Sequence, residues 1–250
     1  MKCGLLGAKL GHSWSPEIHA YLGAYEYRLY EKREEEIPAF LQQGDWQGMN
    51  VTIPYKKTVL PWVAELSPAA AALGSVNTLV RRADGSLFGD NTDVYGFEAM
   101  VRHYGFAPEG TKTLILGSGG ASVSVREALR RLGAETVIIS RTGENHYQNL
   151  FLHADAAYVV NTTPVGMYPN MDASPVDLRE FPACRGLIDI IYNPPETKLM
   201  RQAAELGIPS CNGLYMLVAQ AWRAAELFLG EDIPETRVGE IYRMLEQKER

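Results

Sequence analysis

A chain of 250 residues that is 46% hydrophobic has the apolar material for one large core or two modest ones, which excludes a disordered tail. Its formal net charge is −6 with no long basic block, so nucleic acid is not expected as a partner. Cys3, Cys184 and Cys211 are odd in number and lack metal-site spacing, which predicts reduced, structural thiols. No apolar run reaches the roughly 18 residues of a membrane span, and the opening run is too short for a signal peptide, so no membrane association and a cytoplasmic location are expected.

In chain order, Cys3–Leu6 reads as a strand, and Ser15 as N-cap with Pro16 at the first helical position and Ile18 behind it reads as a helix start. A strand at Tyr27–Tyr30, a helix from about Glu35 to Gln43 and a strand at Met49–Ile53 follow. This alternation is an α/β pattern with crossovers. Val51 and Ile53 are strand formers while Pro54 ends the ladder, so Lys56 is delivered just past a strand terminus, where loop residues meet ligands. Farther on, Leu87 and Phe88 alternate out of the Asp84-Gly85 turn. Gly89 then passes the backbone into a polar loop that should end at Asp93, before a helix begins. One segment carries an amine and the other a carboxylate. Lys56 and Asp93 read as two halves of one proton-transfer site.

A second α/β series opens near Thr113. The apolar strand Leu114-Ile115-Leu116 runs into Gly117-Ser118-Gly119-Gly120-Ala121, an amphipathic helix to about Leu132, and the strand Thr136–Ile139. Strand, glycine loop, helix and strand in this order make the βαβ unit that binds dinucleotides, with backbone amides and the helix dipole converging on a diphosphate. Ser122 stands where the general fingerprint has its third glycine. At the next strand end the run is Ser140-Arg141-Thr142, with no acid for the ribose hydroxyls. Arg141 could stack on adenine and reach a 2′-phosphate, so NADP is favoured, while NAD stays possible through Glu144. Strands at Tyr158–Asn161 and Gly186–Ile191 extend this sheet. The stretch from Arg141 to Tyr158 is short for a full helix with its connections, so one helix should be trimmed there. Helices at Leu214–Phe228 and about Pro234–Gln247 close the chain.

Several segments point to a family: His12-Ser13-Trp14-Ser15-Pro16, Asn50–Lys56, Gly74-Ser75-Val76-Asn77-Thr78, Gly89–Asp93, Gly117–Ala121 and Gly213–Ala221. In register and in order, they match H-S-x-S-P, N-V-T-x-P-x-K, G-x-V-N-T, G-x-N-T-D, G-x-G-G-A and G-L-x-M-L-V-x-Q-A. The chain resembles the shikimate dehydrogenases. The resemblance implies a two-domain α/β fold: a discontinuous substrate-binding α/β domain of residues 1–101 and 214–250, and a Rossmann-like NADP-binding domain of residues 102–213. It implies an oxidoreductase that reversibly reduces 3-dehydroshikimate to shikimate with NADPH in aromatic amino-acid biosynthesis, working as a monomer or homodimer on a small-molecule substrate. The alternatives are a quinate/shikimate dehydrogenase using NAD, and a nucleotide-sensing relative without turnover.

Carried residue by residue, the resemblance makes Lys56 and Asp93 catalytic. It places Ser13, Ser15, Thr52, Asn77, Tyr192 and Gln220 on substrate, and Gly117, Ser118, Gly119, Gly120, Ala121, Ser140, Arg141, Thr142, Ile190 and Gly213 on cofactor. No metal is expected, because His12 and His19 lack a third ligand. Lys56 would supply the proton to the carbonyl oxygen. Burial favours its neutral form and a nearby carboxylate its charged form, so the pair should titrate as one unit. Ser13 and Ser15, two apart, could aim two hydroxyls at one carboxylate near a helix N-terminus. Gln220 interrupts an apolar helix face and needs polar partners. Three departures from the family pattern stand out: Ser140 for the usual Asn, Asn145 for a second base after Arg141, and Ala20 for an Asn after His19.

Overall fold

Two separate sheets organise the chain in the computed structural model, which describes residues 1–11 and 13–248. Each belongs to its own unit: Met1–Gly96 with Val218–Met244, and Phe97–Leu217 with the residues from Leu245. His12, the first residue of the H-S-x-S-P motif, lies outside the described residues.

The elements from the N-terminus are β1 (Lys2–Gly7), α1 (Ser15–Leu22), β2 (Glu26–Glu31), α2 (Ile37–Gln43), β3 (Gly48–Val51), β4 (Glu65–Leu66), α3 (Pro68–Leu73), β5 (Thr78–Arg81), β6 (Leu87–Asp90) and α4 (Thr92–His103). The first sheet has the order β2-β1-β3-β5-β6-β4. β1 pairs in parallel with both β2 and β3, while β3, β5 and β6 run antiparallel in succession. Central β1 is buried from Cys3 to Gly7, as a strand covered on both faces must be, whereas edge strand β2 is largely exposed. Leu6, Ile37, Leu41, Trp46, Met49, Val51 and Leu79 form the core beneath it. Local chemistry sets the ends of α3: the Ser67 side chain accepts from Ala70 N, Pro68 opens the helix, and Gly74 closes it at φ +55°.

Two sequence expectations change here. Trp14, not Ser15, is the N-cap of α1, with no side-chain cap bond, and Ser15 is its first helical residue. The Ser15 hydroxyl is therefore not spent on closing its own helix. Asp93 does not end a loop: strand β6 continues through Gly89 and Asp90, and α4 starts at Thr92, so Asp93 stands in the first helical turn. A carboxylate is favoured there by the helix dipole. The helix expected from Glu35 begins as a 3₁₀ turn, Glu34–Glu36, and becomes α-helical at Ile37.

The later elements are β7 (Lys112–Leu116), α5 (Gly120–Arg131), β8 (Glu135–Ile139), β9 (Tyr158–Asn161), β10 (Gly186–Asp189), α6 (Lys198–Glu205), β11 (Ser210–Cys211), α7 (Leu214–Leu229) and α8 (Thr236–Lys248). The second sheet is wholly parallel, in the order β11-β10-β9-β7-β8. β9 and β10 are buried throughout, and Leu114, Leu116, Val159 and Leu187 lie at the centre of this unit's core. Between β8 and β9 the expected trimming is seen: a 3₁₀ stretch, Tyr147–His153, takes the place of an α-helix. No helix among the described residues is long and apolar enough to cross a membrane. The cysteines are free thiols, and burial pushes Cys3 up to about 11.

Candidate active site

Lys56 follows β3 by a turn that is anchored on both sides. Tyr55 is buried with its hydroxyl donating to Lys32 O at 2.5 Å, and the carbonyl of Lys56 itself accepts from Val76 N at 2.8 Å. The backbone on either side of the long side chain is thus fixed. Its Nζ meets Asp93 Oδ2 at 2.5 Å, with the two side chains 20% and 14% exposed. Asp93 is held in turn by Asn77, whose Nδ2 donates to Asp93 Oδ1 at 2.9 Å and to Thr92 Oγ1 at 3.1 Å. The Asn77 Oδ1 accepts from Thr92 N at 2.7 Å, satisfying a backbone donor that the start of α4 would otherwise leave unpaired.

The other expected substrate residues of this unit sit as follows. The Ser13 hydroxyl donates to Ser15 Oγ at 3.2 Å, so the two are side by side as the spacing predicts. Thr52 stands directly after β3, its N–H donating to Leu6 O at 2.9 Å. Gln220 lies half-buried on α7, with its Oε1 3.5 Å from Thr92 Oγ1. Tyr192 belongs to the second unit, half-buried beyond the end of β10.

The second unit contains a cavity of about 710 Å³, lined by Gly117, Ser118, Gly119, Ser140, Arg141, Tyr147, Thr162, Thr163, Val165 and Pro175 among others. It opens beyond the C-terminal ends of β7 and β9, where the order of the parallel strands reverses and dinucleotides bind in such sheets. The residues fit that ligand. Gly117 has φ +102°, and a Cβ there would come within 2.9 Å of the Thr163 side chain, so glycine is required. A Cβ on Gly119 or Gly120 would meet nothing within 4 Å, so space lies open beside the start of α5, where the helix dipole favours a diphosphate. Ser122, in the third-glycine position, is buried and ties its hydroxyl to Gly119 O at 2.6 Å.

At the end of β8, Arg141 is exposed beside Tyr147, whose phenol is raised by burial and drawn back by the Arg141 charge. Ser140 Oγ bonds to Thr142 O, so both flanking residues are engaged in the turn. Asn145, in the position of the second base, is turned into its own loop, with its Oδ1 3.0 Å from His153 Nε2. Ile190 and Gly213 lie in contact at the end of β10: a Cβ on Gly213 would fall 2.0 Å from Ile190 O. Ala121 belongs to the first turn of α5.

At the end of β10, Asp189 is fully buried and accepts from Asn161 Nδ2 at 3.0 Å, Ile191 N at 3.1 Å and Thr197 Oγ1 at 2.8 Å. Burial nevertheless pushes its carboxyl up to about 6. A carboxyl that holds its proton more tightly when folded stabilises most at low pH, and its contribution falls as pH rises from 3.8 to about 6. Urea unfolding across this window should show the stability of the native protein, measured against Asp189→Asn, falling by roughly 2–3 kcal/mol. A pH-independent difference would contradict the assignment.

Comparison with known proteins places these features. A family model described as the shikimate dehydrogenase substrate binding domain matches residues 5–79. A shikimate dehydrogenase (NADP(+)) of Clostridium perfringens is 34% identical, over 97% of this chain and 97% of its own. The chain belongs to the shikimate dehydrogenase family. Solved structures of the family agree. The chorismate mutase/shikimate 5-dehydrogenase fusion protein of Clostridium acetobutylicum superposes with a TM-score of 0.93 at 35% identity, covering 99% of this chain and 97% of that one. The Thermus thermophilus shikimate 5-dehydrogenase, solved in complex with NADP(H) and shikimate, gives 0.87 at 30% identity, covering 98% and 99%. The resemblance and the α/β fold class read from the motifs are both borne out.

Sequence reasoning missed Tyr147, Thr162, Thr163, Val165 and Pro175 as cavity lining. A signal was present for the middle group. Asn161-Thr162-Thr163-Pro164 places polar residues and a proline directly after an apolar strand, the position where α/β sheets bind ligands. Nothing local marks Tyr147, which reaches the cavity only because the trimmed segment folds back on Ser140.

Proposed function

We propose that this chain reversibly reduces 3-dehydroshikimate to shikimate with NADPH, as a cytoplasmic monomer or homodimer in aromatic amino-acid biosynthesis. The reading rests on the 2.5 Å contact between Lys56 and Asp93 beside the Asn77 amide, an amine and a carboxylate held together and largely shielded from water. Residues 1–101 and 214–250 bind substrate, and residues 102–213 bind NADP. Bound NADPH supplies the hydride to the ketone carbon. Lys56 delivers the proton to the ketone oxygen, and in the reverse direction takes it from the alcohol. Asp93 holds the amine and orients the reacting hydroxyl. Ser13 and Ser15 donate to the substrate carboxylate, and Thr52, Asn77, Tyr192 and Gln220 read its hydroxyls.

Gly117, Ser118, Gly119, Gly120 and Ala121 would cradle the diphosphate, Ser140, Arg141 and Thr142 would hold the adenosine end, and Ile190 and Gly213 would also contact the cofactor. Arg141 takes the 2′-phosphate without help from a second base, since Asn145 is bonded to His153. Arg141→Ala should therefore raise KM for NADP by about tenfold and leave KM for NAD little changed. That is the low end for a hydrogen bond to a charged group, because Arg141 is exposed. Equal losses for both cofactors would mean that Arg141 stacks on adenine and does not select the phosphate. The reading as a whole is tested by steady-state assays of shikimate and quinate, each with NADP and NAD. The highest kcat/KM is expected for shikimate with NADP. A preference for quinate with NAD would overturn it.

A further inference from the structure

The polar side chains of the first unit form an unbroken line that begins well away from Lys56. Tyr27 on β2 donates its hydroxyl to Asn50 Oδ1 at 2.7 Å, and Asn50 Nδ2 donates to Thr78 Oγ1 at 3.2 Å. Thr78 donates to Asn77 Oδ1 at 2.9 Å, and Asn77 Nδ2 donates to Asp93 Oδ1 at 2.9 Å, whose other oxygen receives Lys56. Asn50, Asn77 and Thr78 are buried, and Thr92 is a further partner of both Asn77 and Thr78.

The sense of donation along this line is not arbitrary. An ionised carboxylate only accepts, so Asn77 must turn its nitrogen to Asp93 and its oxygen to Thr78. Whether the Thr78 proton goes to Asn77 or to Thr92, Thr78 accepts from the Asn50 nitrogen, which turns the Asn50 oxygen toward Tyr27. The phenol ring is itself fixed, stacked on the buried His19 ring at 4.0 Å and 10° from parallel, and the Tyr27 hydroxyl also interacts with Ser15.

We propose that Tyr27 is a positioning residue for proton transfer: its hydroxyl locks the amide of Asn50, and through Thr78 and Asn77 this holds Asp93 in the orientation that engages Lys56. The inference rests on the reading of Lys56 and Asp93 as the proton-transfer pair. Without the hydroxyl, the Asn50 oxygen loses its 2.7 Å donor and keeps only its interaction with His19, so the amide is held less firmly. Thr92 N still holds Asn77 at 2.7 Å, so the expected loss is moderate.

The test compares Tyr27→Phe, Thr78→Val and the double variant. Both substitutions nearly preserve shape and each removes one link of the line. Each should lower kcat for shikimate oxidation by roughly 3- to 10-fold, the worth of about one net hydrogen bond, with KM for NADP unchanged. The double variant should lose no more than the worse single one, because a line already broken is not broken again. In Tyr27→Phe, the side-chain amide protons of Asn77, three links away, should exchange faster with solvent by NMR. An unchanged kcat in Tyr27→Phe overturns the proposal even if its melting temperature falls, as do fully multiplicative losses in the double variant. Absence of shikimate turnover in the native protein would sink the activity reading instead, and the Asn77 exchange rate would still decide whether Tyr27 positions that amide.

Discussion

Replacing Lys56 with alanine is expected to lower kcat for shikimate oxidation by about 10²- to 10⁴-fold while leaving the affinity for NADP unchanged. The side chain touches Asp93 and stands in the first unit, whereas the cavity that suits the dinucleotide belongs to the second. Removing it deletes a proton donor and leaves the glycine loop intact. Asp93→Asn should cut kcat strongly as well, because an amide offers Lys56 no negative partner, and its nitrogen and the Asn77 nitrogen are both donors. The two losses should not multiply: once either member is gone, little is left for the other to do. Steady-state kinetics of both single variants and the double variant, with NADP affinity measured by fluorescence quenching, settle the point. Fully multiplicative losses would show that the two act separately, and near-normal turnover in Lys56→Ala would remove the amine from the chemistry.

The second large effect is on stability. Gly213→Ala places a methyl group 2.0 Å from the carbonyl oxygen and 2.5 Å from the carbonyl carbon of Ile190. Both obstacles are backbone, so no side chain can swing away, and β10 or the start of α7 must shift. The bond from Gly213 N to Ile191 O at 3.0 Å would be strained by the same movement. A loss of about 3 kcal/mol, the upper end for overpacking, is expected, and with it a fall in Tm of roughly 6–12 °C. Gly119→Ala is the control, since a Cβ there meets nothing within 4 Å. It should lose only about 1 kcal/mol, the typical cost of alanine at an N-cap, yet bind NADP poorly as the methyl group crowds the diphosphate. If Gly213→Ala melts at the native temperature, the close approach of the two backbones is wrong.

Much of this protein was legible in the residues alone. Apolar runs broken by glycine and proline marked most strands of both sheets to within a residue or two, because a buried parallel strand has to be apolar on both faces and a turn has to be polar. The glycine loop could be placed on a dinucleotide for the same local reason: strand, loop and helix are contiguous in sequence. The short run from Arg141 to Tyr158 also told of a trimmed helix, since it leaves little room for a full helix with its connections. Pairings between distant segments needed the tertiary structure. That Lys56 meets Asp93 was inferred from chemistry, but that Asn77 braces the carboxylate from strand β5, and that Asp93 lies in a helix and not a loop, depend on how β5 and β6 pair and where α4 begins. Tyr147 enters the cavity and Asn145 leaves it through the fold of a segment with no periodic signal. The line from Tyr27 to Asp93 joins residues from four separate stretches, and no one of them contains a motif that names the next. Such a line is set by the burial of unpaired donors and acceptors, a constraint that acts only once the strands have come together.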